Sequence, residues 1–498
     1  MWVLLTAVPT SRAAKNEIIW QPCEITLNGE KVTADCATLT VPENRQNPTA
    51  RQISLPVMRI RATGSNPAEP IFYLTGGPDL SNMKFRPPAA LLAKHDVVLV
   101  GYRGVDGSVK LDCPEVVTAI KGQNRDLFSA ESQAGMAAAI ANCGQRLRQE
   151  GVDLDGYTVL EVVEDMETAR QALGYGRIHL LSESYGTRIA QLYAWRYPDS
   201  LFRSAMVSVN PPGRFVWEAE MIDAQLRQYA DLYAQDETRQ RTPDLAETIR
   251  QVNANMPDHW LFFPINPGKV KATTFVLLFH RQTAAQVFDA YLAAAEGDAS
   301  GLALMSLAYD FVFPQMFVWG DLLAKGYSAD FEAQRDYSQL AAPDGIMGSP
   351  IAQLTWPGAA GWETAVIPEI YRQAQPSDVE TLLISGSVDF ATPSRYATEE
   401  LLPYLTNGRQ IILAEMGHVS DVMTLQPEAA AHLLATFYDT GDVDDSLFQY
   451  MPMSFAVKMS FPQIAKMIVG AIGLIIPATA VGLWLLARRI RKKEGRDT

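Results

Sequence analysis

The chain has 498 residues, of which 48% are hydrophobic and 20% are charged, so it can bury a large core and is not a low-complexity sequence. The last eleven residues hold six basic and two acidic side chains, a net charge of +4, so the total of −14 leaves −18 on the rest. An acidic body excludes the basic surface that a nucleic-acid partner would need.

Residues 1–20 are typical of a secretory leader. A short apolar run at 2–9 precedes the small-x-small pattern Ser11-Arg12-Ala13, although no basic region comes before it. We therefore expect a signal peptide or the remnant of one, with a disordered terminus as the alternative.

The four cysteines indicate an exported protein. Their number is even, and they form neither a C-x-x-C motif nor a zinc-finger spacing with histidine. A disulfide between Cys23 and Cys36 would close an amino-terminal hairpin, and one between Cys113 and Cys143 would close a longer segment that follows a core strand. The sequence permits three connectivities, and four reduced buried thiols remain the alternative.

Strands that alternate with helices predict an α/β protein with a mostly parallel sheet. Residues 32–41 and 52–62 alternate in hydropathy and predict an antiparallel pair. Thr158 and Glu161 form a capping box that begins a helix ending near Gly174. The apolar runs that predict buried strands are 71–74, 97–100, 178–181, 205–209, 382–384 and 411–413.

Residues 215–364 interrupt the strands with helical periodicity. We expect a helical cap over the carboxyl ends of the strands, where open α/β sheets bind ligands. The core would then comprise residues 21–214 and 365–442, followed by a juxtamembrane connector at 443–466.

Residues 467–487 predict one carboxy-terminal transmembrane helix. They carry no charge, and 21 residues span roughly 31 Å as a helix, about the thickness of a bilayer core. A buried core helix is the alternative. The basic tail 488–498 then lies in the cytoplasm by the positive-inside rule, with the body periplasmic or extracellular. Small residues in the span leave room for a partner helix in the membrane.

A candidate nucleophile follows the strand at 178–181. The sequence Ser182-Glu183-Ser184-Tyr185-Gly186 leads from this strand into an amphipathic helix, which is the layout of a nucleophile elbow around Ser184. Ser182 departs from the G-x-S-x-G pattern. An ordinary strand-to-helix turn with a capping serine is the alternative.

A serine nucleophile needs a base and a carboxylate that orients the base. Among six histidines, His418 directly follows a predicted strand at the carboxyl edge of the sheet, and Asp389 follows another. The chain order Ser184, Asp389, His418 is that of an α/β-hydrolase triad. The three residues together therefore predict nucleophilic catalysis.

The segment Thr75-Gly76-Gly77-Pro78 follows the strand at 71–74 and predicts an oxyanion hole. We expect the backbone amides of Gly77 and Tyr185 to be its donors. A glycine pair before proline is often only a turn. No nicotinamide, phosphate or metal motif occurs, so we expect neither a cofactor nor a metal.

Over roughly residues 20–440 the motifs resemble those of α/β-hydrolases related to proline iminopeptidase and the secreted tripeptidyl aminopeptidases. Thr75, Asp79 and Ser182 stand where that family has a histidine and two glycines. The segments that carry the resemblance are Gly76-Gly77-Pro78, residues 101–108, Ser184-Tyr185-Gly186-Thr187, Asp389 with Thr392-Pro393, and Gly417-His418.

The resemblance implies a serine peptidase of the aminopeptidase type, with acidic side chains holding the substrate ammonium, and the apolar segment 467–487 adds the expectation of a membrane anchor. Glu183, beside the candidate nucleophile, is the substrate-binding candidate, and a structural role for this buried glutamate is the alternative. A serine carboxylesterase or lipase is the second reading, and a noncatalytic binding module is the third. A peptide substrate predicts an acidic pocket, whereas an ester or lipid predicts a wide apolar one.

Overall fold

The computed structural model describes residues 18–27, 29–47, 49–122, 126–236, 241–473, 479 and 484. Nearly all of the predicted leader, most of the predicted membrane span and the whole basic tail lie outside these residues.

A nine-stranded sheet forms the centre of the fold, with the strand order β1-β2-β3-β5-β4-β6-β7-β10-β11. Strands β1, β2 and β3 pair antiparallel, and β3 also pairs antiparallel with β5. In the rest of the sheet, in the order β5-β4-β6-β7-β10-β11, each strand is parallel to its neighbours. The strands are β1 (Gln21–Leu27), β2 (Glu30–Pro42), β3 (Gln52–Ile60), β4 (Ala68–Leu74), β5 (His95–Val100), β6 (Ile178–Glu183), β7 (Leu201–Val207), β8 (His259–Trp260), β9 (Phe263–Pro264), β10 (Glu380–Gly386) and β11 (Gly408–Leu413).

The mostly parallel sheet and the antiparallel pair at its start confirm the strand predictions. Strand β1 was not among the predicted strands, because most of its side chains are exposed and it holds no apolar run. It pairs with β2 in the hairpin that Cys23 and Cys36 close.

Helices cover both faces of the sheet. Along β5 the side chains alternate: Val97 and Leu99 pack with α1 and α15, whereas Val98 and Val100 join the larger core beneath α4 and α5. The helices are α1 (Ala89–Leu92), α2 (Pro114–Ile120), α3 (Ala130–Gln149), α4 (Val159–Ala172), α5 (Tyr185–Arg196), α6 (Ala219–Gln235), α7 (Leu245–Ala254), α8 (Pro267–Leu277), α9 (Arg281–Ala295), α10 (Ser300–Val312), α11 (Trp319–Asp330), α12 (Pro350–Thr355), α13 (Ser394–Tyr396), α14 (Val419–Thr424), α15 (Pro427–Thr440) and α16 (Phe461–Gly473).

One half of the capping box at the start of α4 forms, since Thr158 Oγ1 accepts a hydrogen bond from the Glu161 amide, whereas the Glu161 carboxylate accepts from Arg45. Helices α6 to α12 and the β8–β9 hairpin lie between β7 and β10, the interval in which the sequence predicts a helical cap. The predicted domain boundaries at 215 and 364 stay predictions. The following connector packs on these helices: Met453 and Phe455 are buried, and Phe455 contacts Tyr233 and Phe288.

Two disulfides select one of the three possible connectivities. Cys23 bonds to Cys36 and Cys113 bonds to Cys143, so all four cysteines are paired. The bridges close sequence separations of 13 and 30 residues. Each is expected to stabilise the fold by roughly 3 kcal/mol through restriction of the unfolded chain.

Within the described part of the chain, no single helix is both long and apolar enough to cross a membrane. Two consecutive helical segments, Ser300–Gln315 and Trp319–Asp330, have the length and apolar composition of a membrane span only when they are taken together, and the chain bends sharply between them. Of the predicted span, residues 467–473, 479 and 484 are described, and the first seven form the end of α16.

Arg103 joins three segments of the core from a fully buried position. Its Nε and Nη2 each donate to the Asp165 carboxylate at 2.6 Å, and Nη1 donates to the Glu43 and Gly156 carbonyls. Arg45 contributes a second guanidinium to Asp165 at 2.7 Å. The planar fork of arginine suits this arrangement, which lysine could not reproduce.

We predict that Arg103→Met destabilises the protein by about 3–5 kcal/mol, because the buried Asp165 loses its bidentate partner. Chemical denaturation of the variant and the wild type measures the change. Arg61→Met is the control: it removes an exposed ion pair to Asp35 and should cost less than about 1 kcal/mol. Equal unfolding midpoints for the two variants would contradict the role given to Arg103.

Candidate active site

Ser184 lies on a strained turn between β6 and α5. Its φ of 51° and ψ of −125° fall outside the regions that residues with a Cβ prefer. The Ser184 amide donates to the Val207 carbonyl of the neighbouring strand at 2.9 Å. A Cβ on Gly186 would lie 2.3 Å from the Leu74 carbonyl oxygen, so only glycine lets α5 pack this close to β4.

The departure at Ser182 fits the same turn. This side chain is fully buried, and its hydroxyl donates to the Ala205 carbonyl of β7 at 3.2 Å. A small residue is therefore accommodated where the common pattern has glycine, and its polar atom is paired.

The structure brings the three predicted residues into one hydrogen-bonded chain. His418 Nε2 lies 2.9 Å from Ser184 Oγ. His418 Nδ1 lies 2.9 and 3.0 Å from the two carboxylate oxygens of Asp389. Because an ionised carboxylate only accepts hydrogen bonds, Nδ1 carries the proton and Nε2 is free to accept from the serine hydroxyl.

Asp389 is fully buried after β10 and is held in place by its own loop. Its carboxylate accepts hydrogen bonds from the amides of Ala391 and Thr392 and from the Thr392 hydroxyl, at 2.8–3.0 Å. Burial favours a higher pKa for Asp389, but the charge and hydrogen bond of His418 and the Thr392 amide outweigh it and keep the pKa below its ordinary value. The group is therefore a carboxylate at neutral pH.

The loop that carries His418 is held by residues that the sequence did not single out. The His418 amide donates to the Phe279 carbonyl at 2.7 Å, a contact from the helical insertion. The buried Asp421 accepts from the amides of Gly417 and Arg281. The only feature of the sequence that pointed to this support was the acidic residue Asp421, three positions after His418.

The predicted oxyanion loop lies beside Ser184. A Cβ on Gly76 would lie 2.7 Å from Ser184 Cβ and 3.3 Å from Ser184 Oγ, so Gly76 is the residue in direct contact with the serine. Gly77 has φ of 112°. Among the described residues, the amides of Gly77 and Tyr185 have no protein acceptor, which leaves both available to a ligand.

The loop is supported by a fully buried asparagine that sequence reasoning missed. Asn82 Oδ1 accepts from the Thr75 amide at 2.7 Å, and Asn82 Nδ2 donates to the Val100 carbonyl at 2.8 Å. The side chain thus joins the ends of β4 and β5. Thr75 takes the place of the family histidine within this frame.

A buried ion pair lies behind the same loop. Lys325 Nζ is 2.6 Å from Asp321 Oδ2, and it also lies 3.5 Å from the Pro78 carbonyl oxygen. Burial raises the pKa of Asp321 to about 7, although Lys325 opposes the shift. A Cβ on Gly104 would lie 2.4 Å from Asp321, so the glycine makes room for the carboxylate.

The Asp79 side chain lies beside Gly77 of the oxyanion loop and lines a cavity. Oδ2 accepts from the Val318 amide at 3.0 Å, whereas Oδ1 has no hydrogen-bond partner in the described part of the chain. A Cβ built on Gly77 would lie 2.9 Å from Oδ1, so the carboxylate is next to this glycine. Burial raises the pKa of Asp79 to about 6, despite the Val318 hydrogen bond and the nearby charge of Lys325.

These groups line a cavity of about 300 Å³. Ser184, His418, Gly77, Asp79 and Glu183 face it from the sheet side. Most of the remaining lining is aromatic or aliphatic and includes Phe215, Trp217, Phe275, Phe279, Phe317 and Leu322. The helical insertion supplies these side chains and covers the site.

Glu183, the substrate-binding candidate, lines the cavity and accepts a hydrogen bond from Tyr73 OH at 2.6 Å. Burial raises its pKa, while the Tyr73 hydrogen bond and the charge of His418 act against this. His280 of the helical insertion also lines the cavity, with Nδ1 2.8 Å from Ser420 Oγ.

The described residues contain one group of side chains with metal-ligand proximity, Cys113, Glu115 and Cys143. Both sulfurs belong to a disulfide, so they are not thiolate ligands. The group lies outside the cavity lining.

Comparison with known proteins supports a relation to hydrolases. Residues 69–251 match the family model described as alpha/beta hydrolase fold. The tripeptidyl aminopeptidase of Streptomyces coelicolor is 27% identical over 277 residues, which cover 51% of this chain and 49% of that protein. The serine protease Hip1 of Mycobacterium tuberculosis is 27% identical over 227 residues, or 42% of each chain.

A solved serine hydrolase from Cycloclasticus zankles aligns with 82% of this chain and 100% of its own, at 12% identity and a TM-score of 0.35. The chain spans about half the length of the curated relatives that it matches.

We predict that Asp79→Asn stabilises the protein more at pH 8 than at pH 5. The ordinary pKa of 3.8 rises to about 6 on folding, so the folded state loses stability as the pH rises from about 4 to about 6. The loss of folding stability reaches at most about 3 kcal/mol above pH 6. The uncharged side chain of the asparagine variant avoids this loss, and its oxygen can still accept from the Val318 backbone amide.

Chemical denaturation at the two pH values measures the difference. Asp344→Asn, which removes the same formal charge from an exposed position, is the control. An equal gain from Asp79→Asn at both pH values would show that this carboxyl does not titrate in the range.

Proposed function

We propose that this chain, which carries an α/β-hydrolase domain, is a serine peptidase of the aminopeptidase type acting through an acyl-enzyme. The observation that carries the proposal is the hydrogen-bonded chain from Ser184 through His418 to Asp389 at the wall of a covered cavity. The names of the tripeptidyl aminopeptidase and serine protease relatives support the peptidase class.

In the acylation step, Ser184 Oγ attacks the scissile carbonyl and His418 Nε2 takes the hydroxyl proton. Asp389 stabilises the imidazolium that forms and holds the ring in the required tautomer. The amides of Gly77 and Tyr185 receive the developing oxyanion, and the amino terminus of α5 adds to the stabilisation.

The tetrahedral intermediate collapses when His418 donates its proton to the leaving amine. Water then enters, His418 Nε2 takes a proton from it, and the water oxygen attacks the acyl carbon. The second tetrahedral intermediate collapses when His418 returns this proton to Ser184 Oγ, which breaks the ester bond and releases the product acid. The same three side chains therefore serve both halves of the reaction, and the reaction needs no redox change.

The acidic groups in the cavity support an amino-terminal substrate end. Glu183 has one assigned partner, Tyr73, and lies next to the nucleophile, where it can accept from a substrate ammonium. Asp79 is a second acid in the cavity lining, beside Gly77. Both acids are in a largely apolar enclosure, where an ion pair with substrate is stronger than in water.

The apolar lining favours a second candidate, a carboxylesterase or lipase. Phe215, Trp217, Phe275 and Phe317 provide surface for an acyl chain. The same oxyanion hole and nucleophile would cleave an ester, whose leaving group is easier to expel than an amine.

We further propose that the enzyme is anchored by residues 467–487, with the body outside the cytoplasm and the basic tail inside. The charge-free apolar segment and the basic residues after it support this orientation. The two disulfides are typical of an oxidising compartment. A helix partner in the membrane would contact the small residues of that segment.

A fluorophosphonate probe tests the hydrolase proposal in the full chain. We expect covalent labelling of Ser184, no labelling of Ser184→Ala, and labelling slowed about 10³- to 10⁴-fold in Asp389→Asn, whose imidazole tautomer is wrong. Mass spectrometry of the modified peptide identifies the residue. Absence of labelling in the folded wild type would reject both enzymatic hypotheses and leave the noncatalytic binding module.

A substrate panel separates the two enzymatic candidates. We expect aminoacyl and tripeptidyl amides with a free amino terminus to be cleaved with higher kcat/KM than their acetylated forms. Short and long acyl esters are assayed in parallel. Turnover of the esters alone would reject the peptidase and favour the esterase.

We predict that Gly76→Ala lowers kcat/KM by about 100-fold or more. The new methyl group would lie 2.7 Å from Ser184 Cβ, so the serine must move away from His418, and misplacement of about 1 Å carries a cost of this size. Steady-state kinetics and the rate of fluorophosphonate labelling measure the effect.

Gly135→Ala is the matched control, because its methyl group on the exposed face of α3 meets no atom within 4 Å. It should retain full activity and gain about 0.5–1 kcal/mol of stability from helix propensity. Thermal unfolding shows whether both variants are folded. Full activity in a folded Gly76→Ala would contradict the packing of the loop against Ser184.

A further inference from the structure

The helical insertion exposes a group of large apolar side chains away from the cavity interior. Leu261 and Phe262 are 57% and 73% exposed at the tip of the β8–β9 hairpin. Leu307, Phe311 and Val312 of α10 are 40%, 73% and 55% exposed. We call these five residues the apolar rim. Large side chains of this kind are seldom grouped on the surface of a protein without a partner.

The rim is continuous. Trp260 and Phe263 of the hairpin, Leu307 of α10 and Ile468 of α16 line one small groove, so the three elements meet there. The Phe262 ring lies 4.4 Å from the Phe263 ring. Phe311 follows Leu307 by four residues and shares its helix face.

The carboxy-terminal helix is fixed against this part of the insertion. Lys466 Nζ lies 2.5 Å from Asp298, next to the start of α10. A Cβ on Gly301 would lie 2.9 Å from Pro462, so the two helices are in close contact, and Ala465 is buried between them. The position at which the chain leaves the body is therefore set by packing.

The sequence beyond this contact is free of charge up to residue 487, and basic residues follow. A bilayer that accepts this segment must lie against the face from which α16 emerges. Large apolar side chains are exposed both on the rim and on α16 itself, at Met467, Ile468 and Ile472.

We propose that the apolar rim docks on the surface of a lipid bilayer, with Leu261, Phe262 and Phe311 inserted among the lipid headgroups. The proposal rests on the proposed membrane anchor and adds a second point of contact. A helix alone would let the body tilt, whereas two contacts fix its orientation.

Docking by the rim would place the cavity opening next to the membrane. The rim leads from Val312 to Met316, which is 38% exposed and lines the cavity with Phe317. Substrates that are attached to or partitioned into the bilayer surface would reach Ser184 from this side.

A fluorescent label at position 262 tests the docking. All four native cysteines are paired, so Phe262→Cys provides the only free thiol for an environment-sensitive nitrobenzoxadiazole label. The full chain is reconstituted into liposomes of phosphatidylcholine and phosphatidylglycerol. We expect a blue-shifted emission that lipids brominated near the headgroup quench. Ile370→Cys, at a 60% exposed position outside the rim, should show neither effect.

Equal emission and quenching at positions 262 and 370 would overturn the proposal. A blue shift without quenching by brominated lipid would also overturn it, since the rim would then be covered by a second copy or another protein. Retention of the chain by the liposomes after carbonate extraction tests the anchor separately, and its loss would remove the basis for docking. Fluorophosphonate labelling of Ser184 in the same liposomes reports on the hydrolase proposal independently.

Discussion

The site depends on one strained turn. Ser184 has a positive φ, which costs of the order of 1–3 kcal/mol for a residue with a side chain. The turn persists because the Ser184 amide bonds to β7 and the absence of a side chain at Gly186 lets α5 lie against the carbonyl ends of β4. The hydroxyl is thereby held off the sheet edge, where His418 and the free amides of the neighbouring loop can reach it.

Buried charge is concentrated on the loop side of this turn. Asp79, Asp321 and Lys325 bring two carboxyls and one ammonium into an interior where uncompensated charge is costly. Burial raises the pKa of Asp79 to about 6 and that of Asp321 to about 7, although the charge of Lys325 opposes both shifts. The negative charge that these carboxyls place behind the oxyanion loop therefore increases as the pH rises through this range.

The sequence was sufficient for the strands of the large sheet from β2 onward and for the residues that follow them, whereas β1, which holds no apolar run, was missed. Parallel strands end at one edge, so Ser184, Asp389 and His418 could be grouped from chain order and position alone. The contacts of Asn82, Phe279 and Asp421 could not, because none of these residues belongs to a local pattern, and those of Phe279 with His418 and of Asp421 with Arg281 also join segments far apart in the chain. The buried state of Asp79 was equally hidden, since it depends on α11 packing over the loop.

The helical insertion is bonded to both halves of the site and is more than a loose cover. The Phe279 carbonyl holds the His418 amide, and the Val318 amide holds Asp79. Arg281 extends this connection to the carboxy-terminal connector: its guanidinium donates to the Met451 carbonyl at 2.8 Å and to the Glu415 carbonyl at 3.1 Å. A swing of the whole insertion would break these bonds and displace the histidine loop. The position of the connector and that of the loop carrying His418 are therefore coupled through Arg281, whose own amide donates to Asp421 directly after this loop.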